Sequence, residues 1–328
     1  MKLRSHILCG SVGAVVLVAA SFIAFAELDA KNVKNAMTVR RADKDQHLEI
    51  FDGKTRVLRY NFHNVPVPKT AKGKYAVARS DYIHPLCGPA GEVLTTDYSP
   101  NHPHHRGLYW AWPEVYYKSQ KRDLHALQGV FARPDKIVRA DGGKDSATIV
   151  ATSKWLWDKE NIVAETASIT VHRATADGLR VIDLEFKFAA LVEGVSIGRR
   201  GLKAYGGFNM RFSPRKNQEI IQYKEPTGKK PWLAWAQIVG TPPGGKVPVT
   251  VAICQHVTNP QNPGDWVTYP KLNWLQPTFP SKGVKYALVK GTPLVLKYRL
   301  CIQNGKMSDE QLAKQWADFN KPIIRHSR

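Results

Sequence analysis

The stretch "GLRVIDLEFKFAAL", residues 178–191, decides the fold. Ile182, Leu184, Phe186 and Phe188 alternate with Val181, Asp183, Glu185 and Lys187, so one side of an extended chain is apolar and the other is largely charged. A period of two is the mark of an antiparallel strand with one face in a core and one in water. "PLVLKYRLCIQ", residues 293–303, repeats it with Leu294, Leu296, Tyr298 and Leu300 against Lys297 and Arg299. "SATIVATSKWLW" (146–157), "IVAETASITVH" (162–172) and "VPVTVAICQH" (247–256) are further strands. Turn chemistry separates them: "ADGGKD", "TADG", "PPGG", "NPQNPGD" and "QNGK". One helix stands out, "SDEQLAKQWADFN" at 308–320. Ser308 caps it, Gln311 completes a capping box, and Leu312, Trp316 and Phe319 share a face. The expected fold is all-β: one large antiparallel β-sandwich over residues 27–328, with a short C-terminal helix.

The first residues speak to the compartment. Lys2 and Arg4 precede the uncharged run "ILCGSVGAVVLVAASFIAF", which closes on the small residues Ala24 and Ala26. That is the layout of a secretory signal over residues 1–26. An uncleaved anchor is the alternative, since the run approaches the length of a membrane span. Either reading places the folded part outside the cytoplasm, periplasmic or extracellular, and no later stretch is apolar enough to span. Cys87, Cys254 and Cys301 follow the signal, too few for a disulfide-dense scaffold, though a bridge between Cys254 and Cys301 would suit an oxidising compartment. The net charge is +21. Its lysines and arginines are scattered, with no run and no stacking motif, which argues against nucleic acid and leaves an anionic extracellular polymer as a possible partner.

"SPNHPHHRGLYWAW", residues 99–112, concentrates the chemistry. In an extended chain His102, His104 and Arg106 share one side and His105 takes the other. Residues two apart lie about 6–7 Å apart, so His102 and His104 could ligate one metal, with His84 or His256 as a third ligand. The fixed charge of Arg106 suits an anionic or hydroxyl-rich ligand better. A metal site, an acid/base or organic-ligand site, and a histidine-rich turn all remain open. Upstream, "YIHPLCGPAGEVLTTDYSP" (82–100) carries His84 and Asp97 in a Pro- and Gly-rich setting. In "KAYGGFNMRF" (203–212), Tyr205, Asn209 and Arg211 fall on the face opposite Phe208, Met210 and Phe212. "VAICQHVTNPQNPGDWVTYP" (251–270) ends a strand at His256 and leads to Asp265 and Trp266. Tryptophans recur near these loops, at 110, 112, 232, 235, 266 and 274, as sugar-stacking or core residues. There is no G-x-S-x-G, no H-E-x-x-H and no paired C-x-x-C.

"YIHPL.GP.GEVLT.D", "HPHHRGLYWAW", "YGGFNMRF" and "VAI..H..NP...W", in that order across about 37–304, resemble a family of exported bacterial proteins labelled "methane oxygenase PmoA". Particulate methane monooxygenase subunits are multi-spanning, and this chain offers no such spans, so the oxygenase label does not suit it. The family is similar to large β-sandwich proteins acting on carbohydrates, and the galactose-mutarotase-like supersandwich is the fold-level analogy. The chain departs from the family's pattern: Asn101 stands where an acid is usual and Arg106 where a histidine is usual. The rear motif lacks an acid and two histidines around Gln255-His256-Val257 and Trp266-Val267. The resemblance implies sugar or glycoside chemistry without a cofactor or a metal. His84, His104, His105, Tyr205 and His256 would be the catalytic set. His102, Arg106, Asn209 and Arg211 would bind ligand, with Trp110 or Trp266 as a wall. His104 or His105 would act as acid/base near its ordinary pKa of about 6.5. The lost rear-motif residues motivate the alternative of a non-catalytic carbohydrate-binding or scaffold protein. His84, His104 or His105, Tyr205, Arg211 and His256 are expected to line one pocket, with Trp110 or Trp266 on its wall.

Overall fold

The computed structural model describes residues 36–42, 46–100, 102–222 and 235–321. The expected signal segment 1–26, Asn101 and Trp232 lie outside them. Two large antiparallel sheets carry the fold. The first has six strands in the spatial order β1 (Met37–Ala42), β2 (His47–Asp52), β3 (Thr55–Asn61), β4 (Tyr82–Leu86), β7 (Leu108–Ala111) and β15 (Gly207–Met210). The second has eight. It begins with β10 (Val130–Gly142), β11 (Ser146–Trp157), β12 (Glu160–His172) and β13 (Arg180–Ala190). It continues through β22 (Leu294–Asn304), β18 (Val249–Gln255), β17 (Trp235–Thr241) and β16 (Lys216–Gln222).

Smaller sheets elaborate this pair. β21 (Lys285–Ala287), β14 (Ser196–Gly198), β8 (Glu114–Tyr117) and β9 (Gln120–Arg122) form one. β5 (Asp97–Ser99) pairs with β6 (His102–Arg106), and β19 (Trp266–Tyr269) with β20 (Trp274–Pro277).

The alternation in 178–191 does what it predicts. Ile182, Leu184, Phe186 and Phe188 are at most 2% exposed, and each such burial contributes about 1.5–3 kcal/mol. They pair with Leu300, Tyr298, Leu296 and Leu294 across the β13–β22 ladder. On the other face of the same ladder Asp183 meets Arg299 at 2.7 Å and Glu185 meets Lys297 at 3.2 Å. Aromatic rings join the two sheets: Trp110 of β7 stacks on Phe186 at 4.1 Å, and Phe208 of β15 on Tyr298 at 5.1 Å.

The helix α1 (Asp309–Asn320) opens with the expected Ser308–Gln311 capping box. Leu312 is buried, and Trp316 and Phe319 pack with it on a second apolar cluster that includes Trp235, Cys254 and Cys301. Cys254 and Cys301 are free thiols. They sit on adjacent strands but not opposite one another, since Cys254 pairs with Arg299 and Cys301 with Ala252. Among the described residues no helix is long and apolar enough to cross a membrane.

Candidate functional site

The segment 99–107 does not behave as a regular strand. β6 pairs only with β5, and the register slips between Asp97 and Ser99. Such an irregularity re-aims side chains next to it. His104 and His105, neighbours in sequence, therefore both reach the same cavity, together with His102. The strict alternation expected of this stretch is corrected. Gly107 then turns the chain into β7 at a φ of +49°, and a Cβ there would collide with the Ile83 carbonyl oxygen. Glycine is required at that position.

The cavity measures about 350 Å³, within the usual range for small-ligand sites. One wall is the histidines of β6. The rest of the lining is Arg200 and Tyr205, from the segment before β15, Tyr269, Leu272 and Trp274, from the β19–β20 pair, and Tyr75 and Ala126. Rings pack closely: His105 lies 4.6 Å from Trp274, 4.5 Å from His104 and 4.8 Å from His102, the last pair stacked. Beneath them His125, fully buried, shares a 2.8 Å hydrogen bond from Nε2 with the Tyr109 hydroxyl. Its ring is 4.9 Å from Tyr205. The Nδ1 atoms of His102, His104, His105 and His125 are sealed from solvent without a hydrogen-bond partner. Among the described residues nothing engages the Nε2 atoms of His102, His104 or His105.

Burial sets the protonation of this cluster. It pushes His104 down to about 4, helped by its neighbour His102 and by Arg79, Arg200 and Arg211. His105 and His125 are pushed further down by burial and by the other histidines, and His102 is lowered by burial and by Arg211. All four rings are neutral at pH 7. These shifts run against the expectation of an acid near 6.5: a neutral imidazole here offers one lone pair and one N–H rather than a cationic acid. In an NMR titration the His104 ring should stay neutral down to pH 5 and titrate near 4. A midpoint above 6 would show that the ring is not desolvated as described.

The other expected site residues are placed elsewhere. Arg106 is fully buried, ion-paired with Asp97, donating to Tyr82 Oη at 2.6 Å and stacked on the Tyr98 ring at 3.5 Å. It is a structural clamp, because β6 turns it away from the cavity. Asn209 is sealed, donating to the Ala111 and Gly207 carbonyls and accepting from Gln276 at 2.6 Å. His84 is held by Thr95 Oγ1 at 2.9 Å and does not line the cavity.

Trp110 is core, with its indole N–H on the buried Glu165. Trp266 packs against the core on β19, while Trp274 of the paired strand makes the cavity wall. His256 is on another face altogether. It follows β18, shares a 2.8 Å hydrogen bond with Thr258 and packs edge-on against Phe319 of α1. A single pocket holding all of these residues is not what forms. Arg211 is intermediate: it lies behind the wall, donating to the Leu272 carbonyl and to Ser99 Oγ at 3.0 Å, with Nε unpartnered.

Of the expected set, the cavity gathers His102, His104, His105 and Tyr205. His84 and His256 do not join His102 and His104, so the three-histidine metal set is not assembled. Among the described residues no group of three or more His, Cys, Asp or Glu is arranged to hold a metal ion. Sequence reasoning missed His125, Arg200, Tyr75 and Tyr269. His125 stands alone in "DLHALQG" (123–129), with no pattern to mark it. A family model described as "Family of unknown function (DUF6807)" matches residues 47–317, which include every residue of this cavity. No curated protein matches the chain.

Proposed function

The chain belongs to the family of unknown function DUF6807, and from that premise we propose a function on the cavity itself: an exported protein that binds, and acts on, a carbohydrate. The observation that carries this reading is the gathering of His102, His104 and His105, with free Nε2 atoms, beside Trp274, Tyr205 and Tyr269 in one cavity. Aromatic faces take the apolar face of a sugar ring, and fixed polar groups at their edges take its hydroxyls. The PmoA-family resemblance, with its analogy to carbohydrate-active sandwiches, leans the same way.

The chemistry such a cavity supports is limited by its residues. Glycoside hydrolysis by a carboxylate pair needs two acids flanking the bond, and among the described residues no Asp or Glu lines the cavity. A neutral imidazole on His104 or His105 can instead take a proton from a sugar hydroxyl, with the Tyr205 phenol as a hydroxyl donor across the cavity. That is base-assisted proton transfer of the kind that opens or exchanges an anomeric centre. A non-catalytic binding protein is the second reading, and the absence of a charged histidine at neutral pH is what favours it.

Calorimetric titration with mono- and disaccharides, paired with NMR exchange between anomers, tests both. Binding with accelerated exchange is expected, and His104→Gln should slow the exchange by about 10²-fold or more. Binding without turnover from pH 5 to 9 leaves the second reading alone. Failure of every sugar to bind in the millimolar range ends both.

A further inference from the structure

Charge around the cavity is unbalanced. Arg79 and Arg211 are 5% and 6% exposed, and among the described residues neither forms an ion pair. Arg79 donates to the Leu124 and His125 carbonyls, both at 2.7 Å, and lies over the Tyr109 ring at 4.5 Å. Asp123 and Asp81 are the acids whose fields reach it, without ion-pair contact. Arg211 has a backbone carbonyl and a serine hydroxyl as partners, and a sealed Nε with none.

Buried guanidiniums without a carboxylate are costly and are rarely kept without a counter-charge. The third arginine, Arg200, lines the cavity with its side chain 46% exposed. Its Nη2 reaches Asp123 at 2.5 Å and its Nε the Tyr205 hydroxyl at 3.3 Å, which leaves Nη1 open. Arg200 in the lining and Arg79 and Arg211 behind it thus share one ion-paired carboxylate, beside a cavity with no acid among its described lining residues. Both buried cations act on the cavity histidines His104 and His105, lowering them further after burial.

We propose that the ligand of this cavity is an acidic sugar: a pyranose-sized ring carrying one anionic group, held by Arg200 at the mouth and balanced by Arg211 and Arg79 behind the wall. This rests on the carbohydrate reading above and adds the charge. The ring lies against Trp274 and Tyr205, the neutral histidines meet its hydroxyls, and the anion supplies the missing counter-charge. A guanidinium with an open nitrogen suits a carboxylate or a sulfate equally. The cavity volume fits one sugar unit, free or at the end of an acidic chain.

Titrations of the full chain with matched pairs test it: glucose against glucuronate, galactose against galacturonate, with glucose 6-sulfate to separate carboxylate from sulfate and acetate to separate ring from charge. At least one acidic sugar should bind about tenfold or more tighter than its neutral parent. That advantage should shrink as salt is raised, a readout that needs no variant, and Arg200→Gln should narrow the ratio toward one. Neutral sugars that bind as tightly as acidic ones overturn the inference and leave the carbohydrate reading standing. If no sugar binds, both fall. Acetate binding as tightly as glucuronate would also overturn it, since the ring would then contribute nothing.

Discussion

Asp97→Ala should destabilise the protein by about 3 kcal/mol, the low end for removing one member of a buried ion pair because Asp97 keeps some contact with water. The variant leaves Arg106, fully buried, with a fixed charge and only Tyr82, Tyr98 and a long contact to the Val77 carbonyl beside it. Burial works against that charge, and Tyr82 and Asp97 outweigh it, holding the guanidinium above its ordinary range. Urea unfolding monitored by tryptophan fluorescence measures the loss. A double variant, Asp97→Ala with Arg106→Met, should recover much of it, because apolar replacement of a buried pair is often neutral or favourable. A loss under about 1 kcal/mol, the level of a surface pair, would show that Arg106 is not the clamp of β6. Since Asp97 and Arg106 face each other across β5 and β6, the same variant should loosen the strand that presents the cavity histidines.

The second large effect lies in the core behind the cavity. Glu165 is buried and accepts indole N–H bonds from Trp110 and, at 2.6 Å, from Trp155. Burial and the neighbouring Asp81 push it up to about 8 from an ordinary 4.5. For an acid raised in this way the folded chain keeps a proton that the unfolded chain releases. Its contribution to stability is therefore whole below pH 4.5 and declines as pH rises toward 8. The slope is about 1.4 kcal/mol per pH unit, about 5 kcal/mol over the whole interval.

Glu165→Gln removes this ionisation and turns its amide N–H₂ toward one of the two indoles, at a cost of about 1–3 kcal/mol. At pH 5 the variant should be the less stable chain, and by pH 8.5 the gap should close or reverse. The difference between the two unfolding free energies is the quantity to follow, because the histidines titrate in the opposite sense below 6.5 and largely cancel in it. A difference that stays constant from pH 5 to 8.5 would refute the raised acid.

Period-two alternation made the sheets legible. β11, β13, β22 and the capped helix lie where their residue patterns place them, because burial on one face is the dominant force on those segments. Glu165 was readable in the same way and passed over: in "VAETASI" it shares the face of Val163, Ala167 and Ile169. The site was less legible. Strand alternation fails in β6, where pairing with β5 alone and a register slip bring His104 and His105 to one cavity and send Arg106 inward. Tyr205 lines the cavity and Asn209 does not, although both stand in the same motif. The strand β15 begins only at Gly207, so Tyr205 belongs to the loop and Asn209 to the sealed sheet. The choice of Trp274 over Trp266 depends on how β19 and β20 pair, which no local pattern encodes. His125 is positioned by the distant Tyr109 and Tyr205, and nothing adjacent in sequence announces it.

The cavity draws its walls from residues as far apart in the chain as Tyr75 and Trp274. No short stretch can present even half of it, so the binding surface exists only once β6, the β19–β20 pair and the segments carrying Tyr75, Ala126, Arg200 and Tyr205 have come together. A ligand held there has no counterpart among the unfolded states, and mass action then ties occupancy to the survival of the whole chain. At a free concentration of one hundred times Kd, that linkage amounts to about 2.7 kcal/mol of added resistance to unfolding. The chain would be most durable in the presence of the molecule it recognises.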